Sequence, residues 1–161
     1  WQPKGRYFDG TDDYIVLPAN WMPSTGTIEM WVKFDLALSH HLFSSDDNEV
    51  SIYNSAGTNI LFYYDGAARI TSVPDWATNT FVHLVITYAR NTTGYIYTNG
   101  TELGNGAIPD TAVTNVATRL GESSSGANDY TGTMGEVRIY NRALTPLEIQ
   151  HNYLATKWRY R

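Results

Sequence analysis

The sequence predicts an all-β fold of two antiparallel sheets packed face to face, with one short helix near the C-terminal end. Short segments alternate apolar and polar residues, turn residues interrupt the chain about every 8 to 15 positions, and a helical pattern occurs only after residue 144. Short strands at such regular spacing are typical of a sandwich or a barrel. With 161 residues and no long linker, the chain is expected to form a single domain over residues 1–161.

Two segments carry the clearest strand patterns. Residues 27–34, TIEMWVKF, place Ile28 and every second residue after it on one face, which predicts a core face. Trp31 lies on the other face, where another segment covers it or it forms part of a binding surface. Residues 81–88, FVHLVITY, are apolar on both parities, which predicts a central strand. His83 within this strand is expected to hydrogen-bond to neighbouring strands rather than to act as a general base.

Turn residues divide the chain between these strands. Asn99-Gly100 is the strongest hairpin signal, because both residues tolerate the positive φ of a turn that matches strand twist. Gly94 is predicted in a loop with positive φ. Further breaks are predicted at residues 9–10, 54–57, 65–66, 104–106 and 123–126.

The last strand leads directly into the helix. Alternation over residues 136–141 predicts that Val137 and Ile139 face the core. Thr145, Pro146 and Glu148 then form the pattern of a capping box with proline at the first helical position. The helix is expected to pack on the sandwich through Leu147, Ile149, Tyr153 and Leu154. The terminal KWRYR, residues 157–161, is expected to be frayed and solvated.

Composition excludes several functional classes. The absence of cysteine excludes disulfides, thiolate zinc sites and thiol catalysis. The net charge of −5 argues against nucleic acid as a partner. The sequence contains no apolar run of 18 residues, so membrane insertion is not predicted. The 12 tyrosines and 5 tryptophans, with many Asn and Thr, are typical of an extracellular β-sandwich. The sequence therefore predicts a secreted, cell-surface or virion-surface piece of a larger protein.

Four blocks of the sequence, in this order, resemble laminin-G-like domains with the concanavalin A-like jelly roll. The blocks are residues 5–18, 26–35, 81–103 and 132–149. The resemblance implies two antiparallel sheets, adjacent first and last strands, and a short helix after the last strand. It leaves the activity open, because the same sandwich occurs in lectins, carbohydrate-binding modules, adhesion domains, virion surface parts and some glycosidases.

The residues favour a non-catalytic domain. Glycoside hydrolysis needs two carboxylates a few ångströms apart, and the Glu-x-Asp-x-(x)-Glu strand motif of glycosidases with this fold is absent. Glu29 and Asp35 share strand parity, but six residues of strand separate them by about 20 Å. Residues 40–47 contain two adjacent histidines and two adjacent aspartates, for which a loop with solvated side chains is the favoured interpretation.

Calcium is the one metal for which the sequence offers candidate ligands. FDGTDD supplies Asp9, Asp12 and Asp13 around a glycine turn, and Ca²⁺ prefers six to eight oxygen ligands. The resemblance implies that Glu136 of the last strand lies nearby, although Gly135 takes the place of one acidic residue of the family pattern. The alternative is that these acids only make turns and caps through Asx hydrogen bonds.

Carbohydrate binding is the leading functional hypothesis. A sugar site needs one or two exposed aromatic planes beside hydrogen-bonding side chains. Trp21 and Trp76 lie among turn residues, where they either bind a ligand or plug an open end of the sandwich. In FYYDG, Tyr63 and Tyr64 point to opposite faces, so one of them is expected to lie outward beside Asp65.

The competing hypothesis is a structural or adhesion module. Its Tyr, Asn, Ser and Thr loops would contact a protein partner, a glycoprotein or a second copy of the chain. Two sequons, at Asn91 and Asn99, fit either hypothesis in a secreted protein.

Overall fold

The computed structural model describes residues 4–19, 22–45, 49–55, 59–74, 77–113, 117–123 and 126–161. Within these ranges the chain forms twelve strands and one α-helix, which a short 3-10 helix over Lys157–Tyr160 follows. The elements are β1 (Arg6–Asp9), β2 (Ile15–Leu17), β3 (Thr25–Phe34), β4 (His40–Ser45), β5 (Val50–Ser55), β6 (Asn59–Tyr64), β7 (Ala67–Ser72), β8 (Phe81–Ala89), β9 (Thr92–Thr98), β10 (Thr101–Ile108), β11 (Thr118–Leu120), β12 (Thr131–Tyr140) and α1 (Pro146–Thr156).

The strands form two six-stranded antiparallel sheets, which confirms the predicted sandwich. The first sheet has the order β1-β12-β3-β8-β9-β10, and the second has the order β2-β11-β4-β5-β6-β7. The first strand of the chain pairs with the last, as the resemblance implied, with Asp9 opposite Thr131. No helix in the described ranges combines the length and hydrophobicity that crossing a bilayer requires.

The core lies between the inner faces of the two sheets. Strand β3 sends Ile28, Met30 and Val32 into it, as predicted from their alternation. The second sheet faces them with large side chains that are also fully buried. These are Leu42, Phe43, Ile52, Ile60, Phe62 and Ile70. Because the inner faces pack against each other in the core, a ligand can bind only at the outer faces or the loops.

A buried polar cluster joins the outer face of the first sheet to the helix. His83 Nε2 lies 2.9 Å from Glu29 Oε1, and Asn152 Nδ2 of α1 donates to Glu29 Oε2 at 3.0 Å. Burial by itself would raise the pKa of Glu29. The hydrogen bond and charge of His83, with Tyr140 and Asn152, outweigh burial and hold that pKa below its usual range. The prediction that His83 bonds to a neighbouring strand is confirmed.

The helix begins with the predicted capping box. Thr145 Oγ1 accepts from the Glu148 N–H at 3.3 Å, and Glu148 Oε2 accepts from the Thr145 N–H at 2.9 Å. Arg142 donates two hydrogen bonds to the same carboxylate, of 2.8 and 2.9 Å. The Arg142 guanidinium and the Thr145 donors lower the pKa of Glu148 to about 2.

The predicted apolar stripe of the helix is partly wrong. Ile149 is buried against the sheet, but Leu147 and Leu154 are 77% and 51% exposed. The reason is that the sheet presents polar partners under much of α1. Asn152 bonds to the buried carboxylate described above, and Thr156 Oγ1 accepts from the indole of Trp31 at 3.1 Å.

The C-terminal segment is not frayed, contrary to the prediction. Residues 157–160 form a 3-10 helix, and the Tyr160 ring stacks on Trp31 with centroids 4.5 Å apart and planes 18° apart. The Tyr160 hydroxyl accepts from the Glu136 N–H at 2.8 Å. Gly135 leaves room for this ring, because a Cβ at that position would lie 2.5 Å from it. The segment therefore covers the outward-facing indole of β3.

Of two predictions about glycines, one is confirmed and the other is wrong. Asn99 and Gly100 have φ of 50° and 80°, which confirms the hairpin turn between β9 and β10. Gly94 lies inside β9 rather than in a loop, and Asn91 takes the positive φ instead, at 58°. A Cβ at Gly94 would lie 2.9 Å from the side chain of Ile108. This glycine is therefore needed for close packing.

The predicted break at residues 104–106 is also wrong, since Gly104 and Gly106 lie within β10. Strand β10 packs against β7 of the other sheet, where a Cβ at Gly106 would meet the Arg69 carbonyl. The last strand departs from its predicted alternation as well. A register shift lies between Met134 and Val137, and Ile139 is exposed rather than in the core.

Candidate functional site

The second sheet carries a pocket of about 350 Å³ on its outer face, here called the sheet-face pocket. Three neighbouring strands supply its ring-bearing side chains, and the segment between β11 and β12 supplies two polar ones. Its side chains come from His41, Ser51, Tyr53, Tyr63, Ser123 and Asn128, and Gly66 also lines it. A volume of this size is at the low end for small-ligand sites and suits one or two sugar rings.

The strand register explains why these residues meet. Tyr53 of β5 lies opposite His41 of β4, and Ser51 lies opposite Tyr63 of β6. Ile52, between the two β5 residues, is fully buried in the core, so Ser51 and Tyr53 must point outward. Side chains directly opposite each other on one face of an antiparallel sheet are close neighbours. The pocket is therefore a direct product of strand pairing.

His41 is held in its neutral form. Its ring centroid lies 4.7 Å from that of Tyr53, and burial lowers the pKa of His41 to about 4. At neutral pH the imidazole is therefore an uncharged, ring-shaped wall of the pocket. The expectation that His40 and His41 lie solvated in a loop is wrong, because both belong to β4 and His40 is buried. The adjacent Asp46 and Asp47 lie outside the described residues.

The electrostatic surroundings of the pocket are neutral to weakly acidic. None of the described side chains that line it carries a charge at neutral pH. Beside it, the Arg119 guanidinium is paired with the Glu122 carboxylate. Burial, followed by the charge of Glu122, raises the pKa of Asp129. The site thus offers ring faces, hydroxyls and an amide, which is chemistry for binding uncharged polar molecules rather than ions.

The predicted FYYDG residues are divided by the fold. Tyr63 lines the pocket, which agrees with the prediction that one tyrosine of the pair faces outward. Tyr64 is 1% exposed and donates its hydroxyl proton to the Thr111 carbonyl, so its prediction as a ligand-binding residue is wrong. Asp65 sits in the β6–β7 turn with φ of 56° and pairs with Arg69 at 3.3 Å, which commits its carboxylate to the turn.

Two predicted binding residues cannot be placed, and two residues of the pocket were not predicted. Trp21 and Trp76 lie outside the described residues, and their role as ligand-binding residues stays a prediction. His41 and Tyr53 were not among the predicted binding residues. For Tyr53 a signal existed, because VSIYNS alternates and its apolar Val50 and Ile52 assign Tyr53 to the outer face.

The predicted calcium ligands near the N-terminus are engaged in local hydrogen bonds. The Asp9 carboxylate accepts from the Thr11 N–H at 2.9 Å. The Asp13 carboxylate pairs with Arg6 at 2.9 Å and accepts from the Asp9 N–H at 3.1 Å, which lowers the pKa of Asp13. Asp12 is exposed. This is the Asx-turn arrangement that the sequence left open as the alternative.

Glu136 does not join these aspartates. Asp9 pairs with Thr131, so Glu136 lies five residues, or about 17 Å, further along the strand. Its carboxylate is bound by Arg138 at 2.8 Å and Arg159 at 3.2 Å. Among the described residues no group of three His, Asp or Glu side chains could hold a metal ion. The four predicted ligands are thus not brought together in one site, and calcium binding itself stays a prediction.

The two packed antiparallel sheets, with the first strand beside the last, define a concanavalin A-like β-sandwich domain. Residues 9–150 match the laminin-G family model of the concanavalin A-like lectin/glucanases superfamily. The chain therefore belongs to this family, which confirms the resemblance seen in its sequence blocks. No curated protein matches the chain.

Solved structures share the fold at low sequence identity. The native heptameric SAP-like pentraxin from Limulus polyphemus has a TM-score of 0.71 and 16% identity over 89% of this chain and 78% of its own. Domain 4 of AbnA, an extracellular arabinanase from Geobacillus stearothermophilus, in complex with arabinotriose, has a TM-score of 0.66 and 22% identity over 90% and 74%. Trypanosoma rangeli sialidase has a TM-score of 0.74 and 20% identity over 98% of this chain, which spans only 28% of the sialidase.

Proposed function

We propose that this chain is a non-catalytic carbohydrate-binding module that holds a neutral glycan in the sheet-face pocket. The observation that carries the proposal is that two partly exposed tyrosines, Tyr53 and Tyr63, line the same uncharged pocket on an outer sheet face. We further propose that the module belongs to a larger protein that is secreted or displayed on a cell or virion surface.

The lining provides both kinds of contact that a sugar needs. The C–H face of a pyranose or furanose ring packs against aromatic planes, which Tyr53, Tyr63 and the neutral His41 ring supply. Its hydroxyls need donors and acceptors, which Ser51 and Asn128 supply with the two phenol groups. The aromatic part of the pocket is formed by paired strands, so its rings need little ordering on binding.

The charge distribution favours a neutral sugar over an acidic one. A carboxylate or sulfate on the ligand would need a cationic partner, and the described lining contains none. The Arg119 guanidinium nearby is already paired with Glu122, so it is not free to bind an anionic group. His41 does not supply the missing positive charge, because burial keeps it neutral until the pH falls to about 4.

The absence of an acid–base pair in the site supports a binding role rather than hydrolysis. A glycosidase needs two carboxyl groups facing the scissile bond, and the described pocket lining has none. Glu29 is enclosed on the opposite sheet by His83 and Asn152, out of reach of a substrate. Asp35 forms an ion pair with Lys33 at 3.1 Å.

The comparisons support a sugar as the ligand class. One structural neighbour, domain 4 of an arabinanase, was solved in complex with arabinotriose. The sialidase neighbour is an enzyme, but the segment that this chain matches is about a quarter of it. At these identities the likeness concerns the fold, so the ligand must be established by experiment.

A glycan array followed by calorimetry tests the proposal. We expect hits among neutral oligosaccharides and none among uronic or sialic acids. Tyr53→Ala and Tyr63→Ala should each weaken binding about tenfold, with an unchanged melting temperature. Tyr7→Ala is the matched control, because this tyrosine is 53% exposed on β1 of the other sheet. If neither pocket variant lowers the affinity or the number of ligands bound, the sheet-face pocket is the wrong site.

The second candidate function is a structural or adhesion role through self-association. It is favoured by three exposed apolar side chains, Leu147, Leu154 and Trp158, the last of which is 67% exposed. Leu147 and Leu154, seven residues apart, lie on one side of α1, and Trp158 lies in the 3-10 helix that follows. Light scattering over a range of concentrations tests this role. A dimer that Leu154→Glu abolishes would support it, and a monomer at every concentration would exclude it.

A further inference from the structure

The outer face of the first sheet carries a second concave site, where the helix begins. This groove, here called the helix-start groove, has a volume of about 320 Å³. Strands β8, β9 and β10 form one side of it, and the connection from β12 to α1 forms the other. Its lining includes Thr93, Tyr95, Tyr97, Glu102, Leu144 and Pro146.

The walls of the groove are held in place by buried contacts. Leu144 packs in a small apolar cluster with Tyr97 and Ile149, all of them buried. The Leu144 N–H donates to Thr27 Oγ1 at 2.9 Å, and that hydroxyl donates to the Arg142 carbonyl at 2.9 Å. The capping box fixes the next two residues. The groove is therefore preformed, which lowers the entropic cost of binding.

The chemistry of the groove suits a polyhydroxyl ring. Tyr95 is partly exposed, with its ring centroid 6.2 Å from that of Tyr97, so it offers an aromatic face. Glu102 is the one charged side chain among the described lining residues, and it accepts a hydrogen bond from Asn105 Nδ2 at 3.0 Å. Its remaining lone pairs and the Thr93 hydroxyl can receive the hydroxyl protons of a sugar.

The same residues argue against an acidic ligand and against a metal ion. An acidic ligand would meet Glu102 without any cation in the described lining. A metal ion would find one carboxylate where several oxygen ligands are required. The groove also differs from the sheet-face pocket, because Tyr95 and Tyr53 lie on opposite outer faces of the sandwich.

We propose that the helix-start groove is a second binding site for a neutral sugar ring, so that the domain is bivalent. This inference rests on the proposed function for the class of ligand, but on different residues for the site. The two sheets lie about 10 Å apart and both sites point away from the core, so one short oligosaccharide cannot occupy both. A bivalent domain would bind two chains of a polysaccharide and cross-link them.

Nuclear magnetic resonance titration of the 18.1 kDa domain tests the second site directly. The probes are arabinotriose, cellotriose and maltotriose as neutral sugars, with trigalacturonate as the acidic one. We expect a neutral probe to shift amide signals of residues 93–102 and 143–146 as well as those of residues 41, 53 and 63. Trigalacturonate should shift neither set.

Each outcome of the titration decides between the two ideas. Shifts confined to residues 41, 53 and 63 would overturn the second site and leave the proposed function standing. Shifts confined to the groove would support the second site and overturn the assignment of the sheet-face pocket. No shift with any neutral probe would contradict both the second site and the proposed function. If tetramethylammonium shifts the groove signals and no sugar does, the groove does not bind a neutral sugar.

Variants then separate the sites by stoichiometry. With the neutral probe that binds, calorimetry should give two sites for the original chain and one each for Tyr95→Ala and Tyr63→Ala. Tyr7→Ala should keep two sites. The original chain should precipitate the matching soluble polysaccharide, and each single-site variant should fail to do so. A stoichiometry of one that Tyr95→Ala leaves unchanged would refute bivalency.

Discussion

Removing the Tyr160 ring is expected to destabilise the domain strongly, although this residue lies one position from the end of the described chain. The ring stacks on Trp31 at 4.5 Å and also contacts Phe81, with centroids 5.0 Å apart. Its hydroxyl accepts the backbone N–H of Glu136 at 2.8 Å. Tyr160→Ala therefore removes ring contacts and a hydrogen bond together, and it uncovers a buried indole.

The contacts set the size of the effect. An aromatic pair contributes about 0.5–1.5 kcal/mol beyond area burial, and a hydrogen bond contributes about 1 kcal/mol. Lost burial of the ring and the exposure of Trp31 add about 1–2 kcal/mol. We expect the free energy of unfolding to fall by about 3 kcal/mol, which lowers the melting temperature by roughly 6–12 °C for a domain of this size. Tyr160→Phe removes only the hydrogen bond and should cost about 1 kcal/mol.

Urea unfolding, followed by tryptophan fluorescence, measures these differences. Trp158→Ala is the matched control, because this side chain lies two residues away and is 67% exposed. Its expected cost is below about 0.5 kcal/mol. If Tyr160→Ala and Trp158→Ala have the same midpoint, the C-terminal segment does not cover Trp31, and the frayed tail expected from the sequence is correct after all.

Three further predictions concern acid, calcium, and the side chains of Trp21 and Trp76. Because its folded pKa is depressed, Glu29 contributes stability that is present above its unfolded pKa, about 4.3, and is lost as the pH falls through the folded value. Unfolding measured from pH 7 to pH 3 should therefore depend less on pH in Glu29→Gln, and equal slopes would contradict the assigned hydrogen bonds. A chelator should leave the melting temperature unchanged if residues 9–13 only make turns, whereas a drop would restore a calcium site. Trp21→Ala and Trp76→Ala should weaken glycan binding at constant stability if these side chains contact the ligand, and a lower melting temperature with normal binding would assign them to packing.

Local patterns were read correctly because local chemistry determines them. The capping box depends on residues within three positions of each other, and the structure contains both of its hydrogen bonds. The Asn99-Gly100 turn depends on the φ angles of two adjacent residues. Gly94 shows the limit of such reasoning. Its requirement comes from the Ile108 side chain of the next strand, which no local pattern records.

The face of the helix could not be predicted for the same reason. A stripe that includes Leu147 and Leu154 is the usual choice when the surface beneath is apolar. Here the surface beneath contains Glu29 and the indole N–H of Trp31, so the helix turns Asn152 and Thr156 toward the sheet instead. Hydrogen bonds to a buried carboxylate are costly to leave unmade, and they outweigh the burial of two leucines.

Only part of the sheet-face pocket could be predicted from the sequence. Alternation assigns Tyr53 to an outer face, and it states that one of Tyr63 and Tyr64 points outward without saying which. The choice follows from β6, where Ile60 and Phe62 share the core parity with Tyr64. The meeting of His41 with Tyr53 depends on strand pairing, which is a property of the whole sheet.

The position of the C-terminal segment determines which aromatic surface remains for ligands. Trp31 has the outward parity and the large ring that a sugar platform needs, but Tyr160 and Thr156 occupy both its face and its indole N–H. Ile149 of the helix and Leu144 before it cover Tyr97. Tyr95, two residues along the same face, packs at the edge of this cluster and stays partly exposed, while the outer face around Tyr53 belongs to the opposite sheet. Covering one part of the first sheet therefore leaves two separate aromatic surfaces, on opposite sides of the domain.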